Sequence, residues 1–227
     1  MPNWCFTEYI FTGPLKELER LERNITKWTE KNYAPNGFGK DWLGNIAEGA
    51  GMDYTKIPCR GTIGNLYMQT DQERNRTGLY IDTETAWVPQ HELWDFLIKK
   101  YAPHTSYLYY AEEAGLGLYE TNDIFRMYFD FDYVVDSYYD STADEKIIRF
   151  QDFFPEGVNF WKDEDLHVLL ADILHKEGTT KELIDAFSTL EDCWSGDSFV
   201  YFHEVERVDS PISVSYTHLR AHETRSN

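Results

Sequence analysis

Near the start of the chain, the pattern of hydrophobic and polar residues changes from one typical of a strand to one typical of a helix. Phe6–Thr12 is rich in aromatic and β-branched residues and ends at Gly13-Pro14, which predicts a first strand. Apolar residues then recur at spacings of three and four, which predicts an amphipathic helix with Pro14 suited to its first turn. The apolar positions of this helix are Leu15, Leu18, Leu21, Ile25 and Trp28.

The segment 32–60 breaks both patterns. Glycines recur here between Pro35 and Pro58, and we expect irregular structure with a short helix over 42–47 that Asp41 caps. The segment is longer than a usual connection of about 4–6 residues. We therefore interpret it as an insertion or a functional loop.

Strand-like patterns return after this segment. They predict strands over 62–70, 78–83, 106–111 and 125–135. A helix with an apolar face formed by Leu93, Trp94, Leu97 and Ile98 precedes the third of them, and the residues 112–117 are predicted to form a turn.

The resulting order β-α-β-β-α-β predicts an α+β fold. It is the order of the ferredoxin-like split βαβ unit, an antiparallel sheet with helices on one face. The later residues favour an appended helical hairpin and strand: an apolar face over 166–174, a capping-box spacing at Thr179 and Glu182, and a strand over 199–205. We expect a first domain over 1–139, with the glycine-rich insertion at 32–60, an extension over 140–208 and a disordered tail over 209–227.

The C-terminal tail has an unusual sequence. Residues 214–224 resemble the translation of a transposase sequencing adapter, one reading frame of which encodes 214–223 in order. We interpret 214–227 as an artefact and exclude it from the fold, as is done for tags and fusion scars.

The charge of the chain limits its partners. With 40 acidic and 21 basic residues, the formal net charge is −19. Nucleic acids are bound by neutralising phosphates with Lys and Arg, so we expect no nucleic-acid binding and no binding to anionic membranes. A basic partner protein is compatible with this charge, and so is simple solubility.

Cysteine usage and hydropathy predict a cytoplasmic protein. The three cysteines, Cys5, Cys59 and Cys193, are odd in number and form no C-x-x-C motif, which is typical of a reducing compartment. The first residues lack the basic and apolar regions of a signal peptide, and no apolar run approaches the roughly 20 residues of a membrane helix.

Three motifs carry a resemblance to a known family. Met1-Pro2-Asn3-Trp4-Cys5 leads into the first strand, Thr85-Ala86-Trp87-Val88-Pro89 precedes the second helix, and Tyr110-Ala111-Glu112-Glu113-Ala114-Gly115 ends the fourth strand. Together, over residues 1–135, they resemble the YubB-type ferredoxin-like domain family, uncharacterised proteins of plasmids, phages and other mobile elements. Thr7 and Gln90 depart from the family pattern. The resemblance implies a fold and a mobile-element setting, and it supplies no activity or catalytic residue.

Metal and cofactor chemistry finds little support in the sequence. The histidines lack the spacing of a zinc site, the aspartates of 130–140 lack the glycine of a calcium loop, and we expect no metal and no cofactor. These residues are His91, His167, His175 and His203, and Asp130, Asp132, Asp136 and Asp140.

The candidate site residues are Trp87, Glu112, Glu113 and Tyr119, which we expect to bind a partner. Glu112 and Glu113 are adjacent on an extended segment and point to opposite faces, which disfavours a paired acid and base. The favoured hypothesis is an accessory protein of a mobile element that binds a basic host or element protein without catalysis. The alternative is a small metal-independent enzyme with a site near Glu112–Tyr119 and the 37–51 loop.

Overall fold

Long antiparallel strands and short helices make up most of the chain. The computed structural model describes residues 3–31, 38–72, 76–140, 145–190 and 198–209. The strands are β1 (Trp4–Thr12), β2 (Gly61–Asp71), β3 (Arg76–Ala86), β4 (Ser106–Glu113), β5 (Leu118–Thr121), β6 (Tyr133–Tyr138), β7 (Gly157–Trp161), β8 (Phe199–Glu204) and β9 (Glu206–Arg207). The helices are α1 (Leu15–Thr29), α2 (Leu43–Ala50), α3 (His91–Tyr101), α4 (Glu145–Ile148), α5 (Asp163–Leu174) and α6 (Thr180–Ser188). The predicted α+β class is confirmed.

The first unit of the chain extends to Ile124 and resumes at Arg207. Its sheet has the strand order β2-β3-β1-β4-β5-β9. Strand β1 is antiparallel to both of its neighbours, β3 and β4, and β3 is antiparallel to β2. Helix α1 lies in the connection from β1 to β2, and α3 lies in the connection from β3 to β4.

The predicted first strand and helix are both present, and their periods explain how they pack. Alternate residues of β1, among them Tyr9 and Phe11, are buried in the same core as the apolar stripe of α1. Trp94 of α3 lies beside both β1 rings, with ring centroids 5.5 Å from Tyr9 and 5.8 Å from Phe11. Leu15, which was also assigned to the stripe, is half exposed at the first position of α1.

The segment 32–60 is more ordered than its glycine content suggested. Within its described part, 38–60, helix α2 begins at Leu43, and its N-cap is Trp42, which makes no side-chain capping bond. The predicted cap at Asp41 is therefore wrong. Asn45 instead holds the preceding turn, since its side-chain amide donates to the carbonyls of Gly39 and Lys40 at 2.9 and 3.0 Å.

The second unit spans Phe125–Glu206 and has its own sheet, in the order β7-β6-β8. The predicted strand over 125–135 begins only at Tyr133 and joins this sheet instead of extending the first one. Along the chain, the second unit therefore begins at Phe125, before the expected boundary at residue 139. Pairing of β6 with β8, far along the chain, has no local signature, so sequence periodicity did not indicate it.

The helical extension is present in this second unit. Helices α5 and α6 contact each other and bury Leu166, Leu170, Leu183 and Phe187 against the sheet. Thr179 and Glu182 form the predicted capping box, in which Thr179 N–H donates to the Glu182 carboxylate at 2.7 Å. The ring of Phe154 meets those of Phe187 and Phe202 edge-on, at 5.7 and 5.3 Å.

Some predictions concern residues that the structure does not describe. The adapter-like residues 214–224 and almost all of the predicted tail 209–227 lie outside the described ranges, as do Cys193 and the first two residues of the N-terminal motif.

Two tryptophan rings pack directly on glycines of α2, and this generates a test of the first core. A Cβ at Gly49 would overlap the ring of Trp28. We expect Gly49→Ala to lower the free energy of unfolding by about 1–3 kcal/mol, because overpacking outweighs the gain of about 1 kcal/mol in helix propensity. Chemical denaturation measures the change. Gly64→Ala is the control, since a Cβ there has only ordinary contacts with Asp82; a stabilised Gly49→Ala would contradict the packing.

Candidate functional site

The three motifs converge at one end of the first sheet. Because β1 is antiparallel to β3 and β4, its start lies beside their ends: Trp4 is paired with Ala86, and Phe6 is paired with Glu112. The backbone N–H of Trp87 donates to the carbonyl of Asn3 at 3.0 Å. The resemblance thus rests on residues that are distant in sequence and adjacent in space.

The helix-facing side of this end is polar but closed. The Cys5 side chain is fully buried, with its sulfur 3.7 Å from the hydroxyl of Thr7. Burial raises the pKa of the Cys5 thiol to about 11. Since the thiolate is the reactive form of cysteine, this residue is unsuited to act as a nucleophile.

Trp87 occupies a turn with unusual backbone geometry. Its φ of 72° is in the left-handed region, which is uncommon for a bulky side chain. Thr85 holds the turn by donating its hydroxyl to the carbonyl of Val88 at 2.8 Å. The indole of Trp87 is 43% exposed, so this predicted site residue is accessible to a partner.

Glu113 caps its own turn. It belongs to β4, not to the predicted turn, and is almost fully buried. Its carboxylate accepts from the N–H groups of Gly115 and Leu116 at 2.8 and 2.7 Å. Both carboxylate oxygens are thus engaged inside the fold, and a partner-binding role for Glu113 is not supported.

Tyr119 and Glu112 are paired across β4 and β5 but differ in accessibility. Tyr119 is only 7% exposed, so it offers no aromatic surface to a partner, contrary to expectation. Glu112 is partly exposed and accepts a hydrogen bond from the hydroxyl of Tyr110 at 2.6 Å. Of the four predicted residues, Trp87 and Glu112 remain candidates.

The two segments of the alternative enzyme site are not brought together. Helix α2, within the 37–51 loop, contacts β2, whereas Glu112–Tyr119 lies on β4 and β5. The strands β3 and β1 stand between them in the sheet. The strand order therefore places two strands between β4 and the strand that the described part of the 37–51 loop contacts.

A cluster of rings around the partly buried His91 was not anticipated from the sequence. His91 Nδ1 lies 3.2 Å from the hydroxyl of Tyr9, and its ring lies 4.3 Å from that of Tyr109. Burial lowers the pKa of His91 to about 4, so the imidazole is neutral near pH 7. Tyr109 in turn donates to Glu120 at 2.9 Å. The alternating tyrosines of β4 were the feature of the sequence that could have indicated this internal hydrogen-bond network.

The opposite face of the sheet carries the second unanticipated cluster, which we call the open face. It consists of partly or well exposed side chains on β1, β2, β3 and β4. Its members are Phe6, Glu8, Tyr67, Tyr80, Asp82, Glu84 and Glu112.

Like charges stand opposite one another on the open face. Glu8 is the cross-strand neighbour of Asp82, and Phe6 has Glu84 on one side and Glu112 on the other. Burial and the nearby Asp82 raise the pKa of Glu8. Arg76 is the only Lys or Arg within β1 to β5, and it is paired with Asp71 at the far end of β3.

Exposed rings are interleaved with these carboxylates. Tyr67 and Tyr80 stack with centroids 5.2 Å apart and an interplanar angle of 8°. Tyr67 is 43% exposed, and Phe6 is 37% exposed. Aromatic faces beside carboxylates suit the binding of Lys or Arg, which combine a cation with an apolar stem.

Over the ranges that the structure describes, His, Cys, Asp and Glu side chains form no group of three or more that could hold a metal ion. Among the helices of the same ranges, none is both long and apolar enough to cross a bilayer.

The capping role of Glu113 predicts that the two adjacent glutamates differ in their contribution to stability. We expect Glu113→Gln to lower the free energy of unfolding by about 1.5–3 kcal/mol, because the amide NH₂ would face a backbone N–H. Glu112→Gln, the matched control, should change it by less than about 0.5 kcal/mol. Urea unfolding measures both, and equal effects would contradict the capping role.

Because Glu8 and Asp82 are opposed, we predict that neutralising Glu8 stabilises the fold to an extent that depends on pH. The folded-state pKa of Glu8 is raised, so its ionisation destabilises the fold as pH rises through that pKa. We expect Glu8→Gln to increase the free energy of unfolding by about 0.2–1 kcal/mol at pH 7. The gain should vanish below the unfolded carboxyl pKa of about 4, where Glu8 is protonated in both states. Thermal unfolding at several pH values, with Glu19→Gln on α1 as control, tests this; a pH-independent difference contradicts it.

Comparison of the chain with protein-family models, with curated proteins and with solved structures gave no match.

Proposed function

We propose that this chain is a protein-binding accessory protein of a mobile genetic element, which acts in the cytoplasm by capturing a basic partner on its open face, without catalysis. The observation that carries the proposal is the placement of Glu8 directly opposite Asp82, among exposed aromatic rings and away from any strand cation.

The family setting is part of the same proposal. We infer a ferredoxin-like split βαβ unit, supported by the order β2-β3-β1-β4 with antiparallel neighbours. The convergence of Asn3, Trp87 and Glu112 supports kinship with the YubB-type domains, because these residues belong to the three motifs that carry the resemblance.

The energetics of the open face favour a cationic partner. Like charges directly opposite on a sheet are destabilising, so the free protein carries a cost that an approaching cation removes. Lys or Arg side chains would lie between the carboxylates and stack on Tyr67 or Phe6. Electrostatic complementarity of this kind raises the association rate and the selectivity of binding.

The same charges disfavour other partners. Nucleic-acid phosphates would be repelled by Glu8, Asp82, Glu84 and Glu112. A cysteine nucleophile is disfavoured because Cys5 is fully buried and burial keeps its thiol protonated. A binding role is the function most compatible with these side chains.

The test compares proteins retained by three immobilised forms of the chain from bacterial host lysate. We expect a partner with a basic surface to be retained by the parent and by the control Glu19→Gln/Glu48→Gln, which loses two exposed helical carboxylates. Glu8→Gln/Asp82→Asn should lose it. With the purified partner, the association rate should fall severalfold in the double variant and should decrease with salt in the parent.

Two outcomes would contradict the proposal. Equal retention by all three forms would place the binding site elsewhere on the chain. An association rate that is insensitive to salt would show that the carboxylates of the open face do not guide the partner.

A further inference from the structure

The second unit contains a groove that the proposed function does not use. It has a volume of about 710 Å³ and is open to solvent. Aromatic side chains form most of its apolar lining, and charged side chains stand at its rim. The lining residues that matter here are Phe131, Phe153, Phe160, Trp161, Lys162 and Asp165.

The groove follows an edge strand. Strand β7 is at one end of the order β7-β6-β8, so one side of its backbone is not paired within this sheet. The sequence of β7, Gly-Val-Asn-Phe-Trp, contains no charge and no proline, the devices that usually protect an edge from further pairing. The other edge, β8, carries His203 and Glu204.

Two large side chains of β7 are exposed to solvent, whereas Trp161 packs against the core of the second unit. Val158 is 50% exposed and Phe160 is 51% exposed. The ring of Phe131 lies 4.5 Å from that of Phe160 and extends the apolar surface beyond the strand. An extended chain laid along β7 would find pockets for its alternate side chains on this surface.

The charges at the rim indicate which kind of ligand the groove would bind. The cation of the groove, Lys162, is already paired with Asp130 at 2.5 Å, and Asp165 adds an exposed carboxylate in the first turn of α5. A second copy of the chain would bring the same net charge of −19 and would be repelled. A positively charged segment is complementary to the rim.

We infer that this groove binds an extended basic peptide segment of a partner protein, which adds a strand to the edge of β7. The apolar side chains of the segment contact Phe153 and Phe160, and its Lys or Arg side chains are directed to Asp165. This site is separate from the open face and does not depend on it.

The test uses a fluorescein-labelled decapeptide of alternating valine and lysine, with affinity measured by fluorescence polarisation. Phe160→Thr should weaken binding about tenfold, because a central aromatic contact is lost and β-propensity is kept. Tyr201→Thr is the matched control, since Tyr201 is 46% exposed on the opposite edge strand and should leave the affinity unchanged.

Charge is tested within the same helical turn. Asp165→Asn should weaken the peptide about two- to fivefold, in proportion to one exposed ion pair. Glu164→Gln removes a neighbouring charge of the first turn of α5 that does not line the groove, and it should have no effect. If both variants lose the same affinity for the peptide, the effect comes from long-range charge, and a direct contact between the peptide and Asp165 is contradicted.

Strand addition has its own readout. N-methylation of the alternate peptide residues whose N–H groups face β7 should abolish binding, whereas methylation of the other set should preserve it. Equal binding by both methylated peptides overturns the inference, and so does the absence of parent binding at millimolar peptide. If sedimentation shows a dimer of the parent that Phe160→Thr dissociates, the edge of β7 serves self-association, and this result also overturns the inference.

Discussion

Strand β1 pairs along nearly all of its length, with β3 on one side and β4 on the other, and the rest of the first unit depends on this double pairing. Side chains alternate across a strand, so the register decides which residues of β1 enter the core. Tyr9 and Phe11 contact the helices, while Phe6 and Glu8 are on the other face. A shift by one residue would bury Glu8 and expose Tyr9, so the core and the open face are specified by the same pairing.

The periodicity of a segment correctly predicted those structural features that depend on the residues of that segment alone. Strand β1, the stripe of α1 and the capping box of α6 appear where the sequence placed them, and the α+β class follows from their order. The boundary between the units was misplaced because β6 finds its partners far along the chain. Glu113 was assigned to a turn for a related reason: the pairing of β4 with β5 extends the strand through it.

The candidate site was only partly predictable. Trp87 and Glu112 were identified because they belong to recognisable motifs, and both are accessible. The opposition of Glu8 and Asp82 could not be inferred, since it requires the register of two strands separated by most of the first unit. The burial of Tyr119 also comes from tertiary packing, which no local pattern of polar and apolar residues reports.

The return of the chain to the first sheet has a consequence for how such proteins diversify. The N–H of Val208 donates to the carbonyl of Thr121 at 2.9 Å, and the guanidinium of Arg207 donates to the carbonyl of Asp123 at 2.6 Å. The residues that flank the second unit are thereby fastened to each other, which is the geometry of a domain inserted into a host loop. An insertion anchored in this way can be acquired, exchanged or deleted in evolution while the host sheet keeps its strand order.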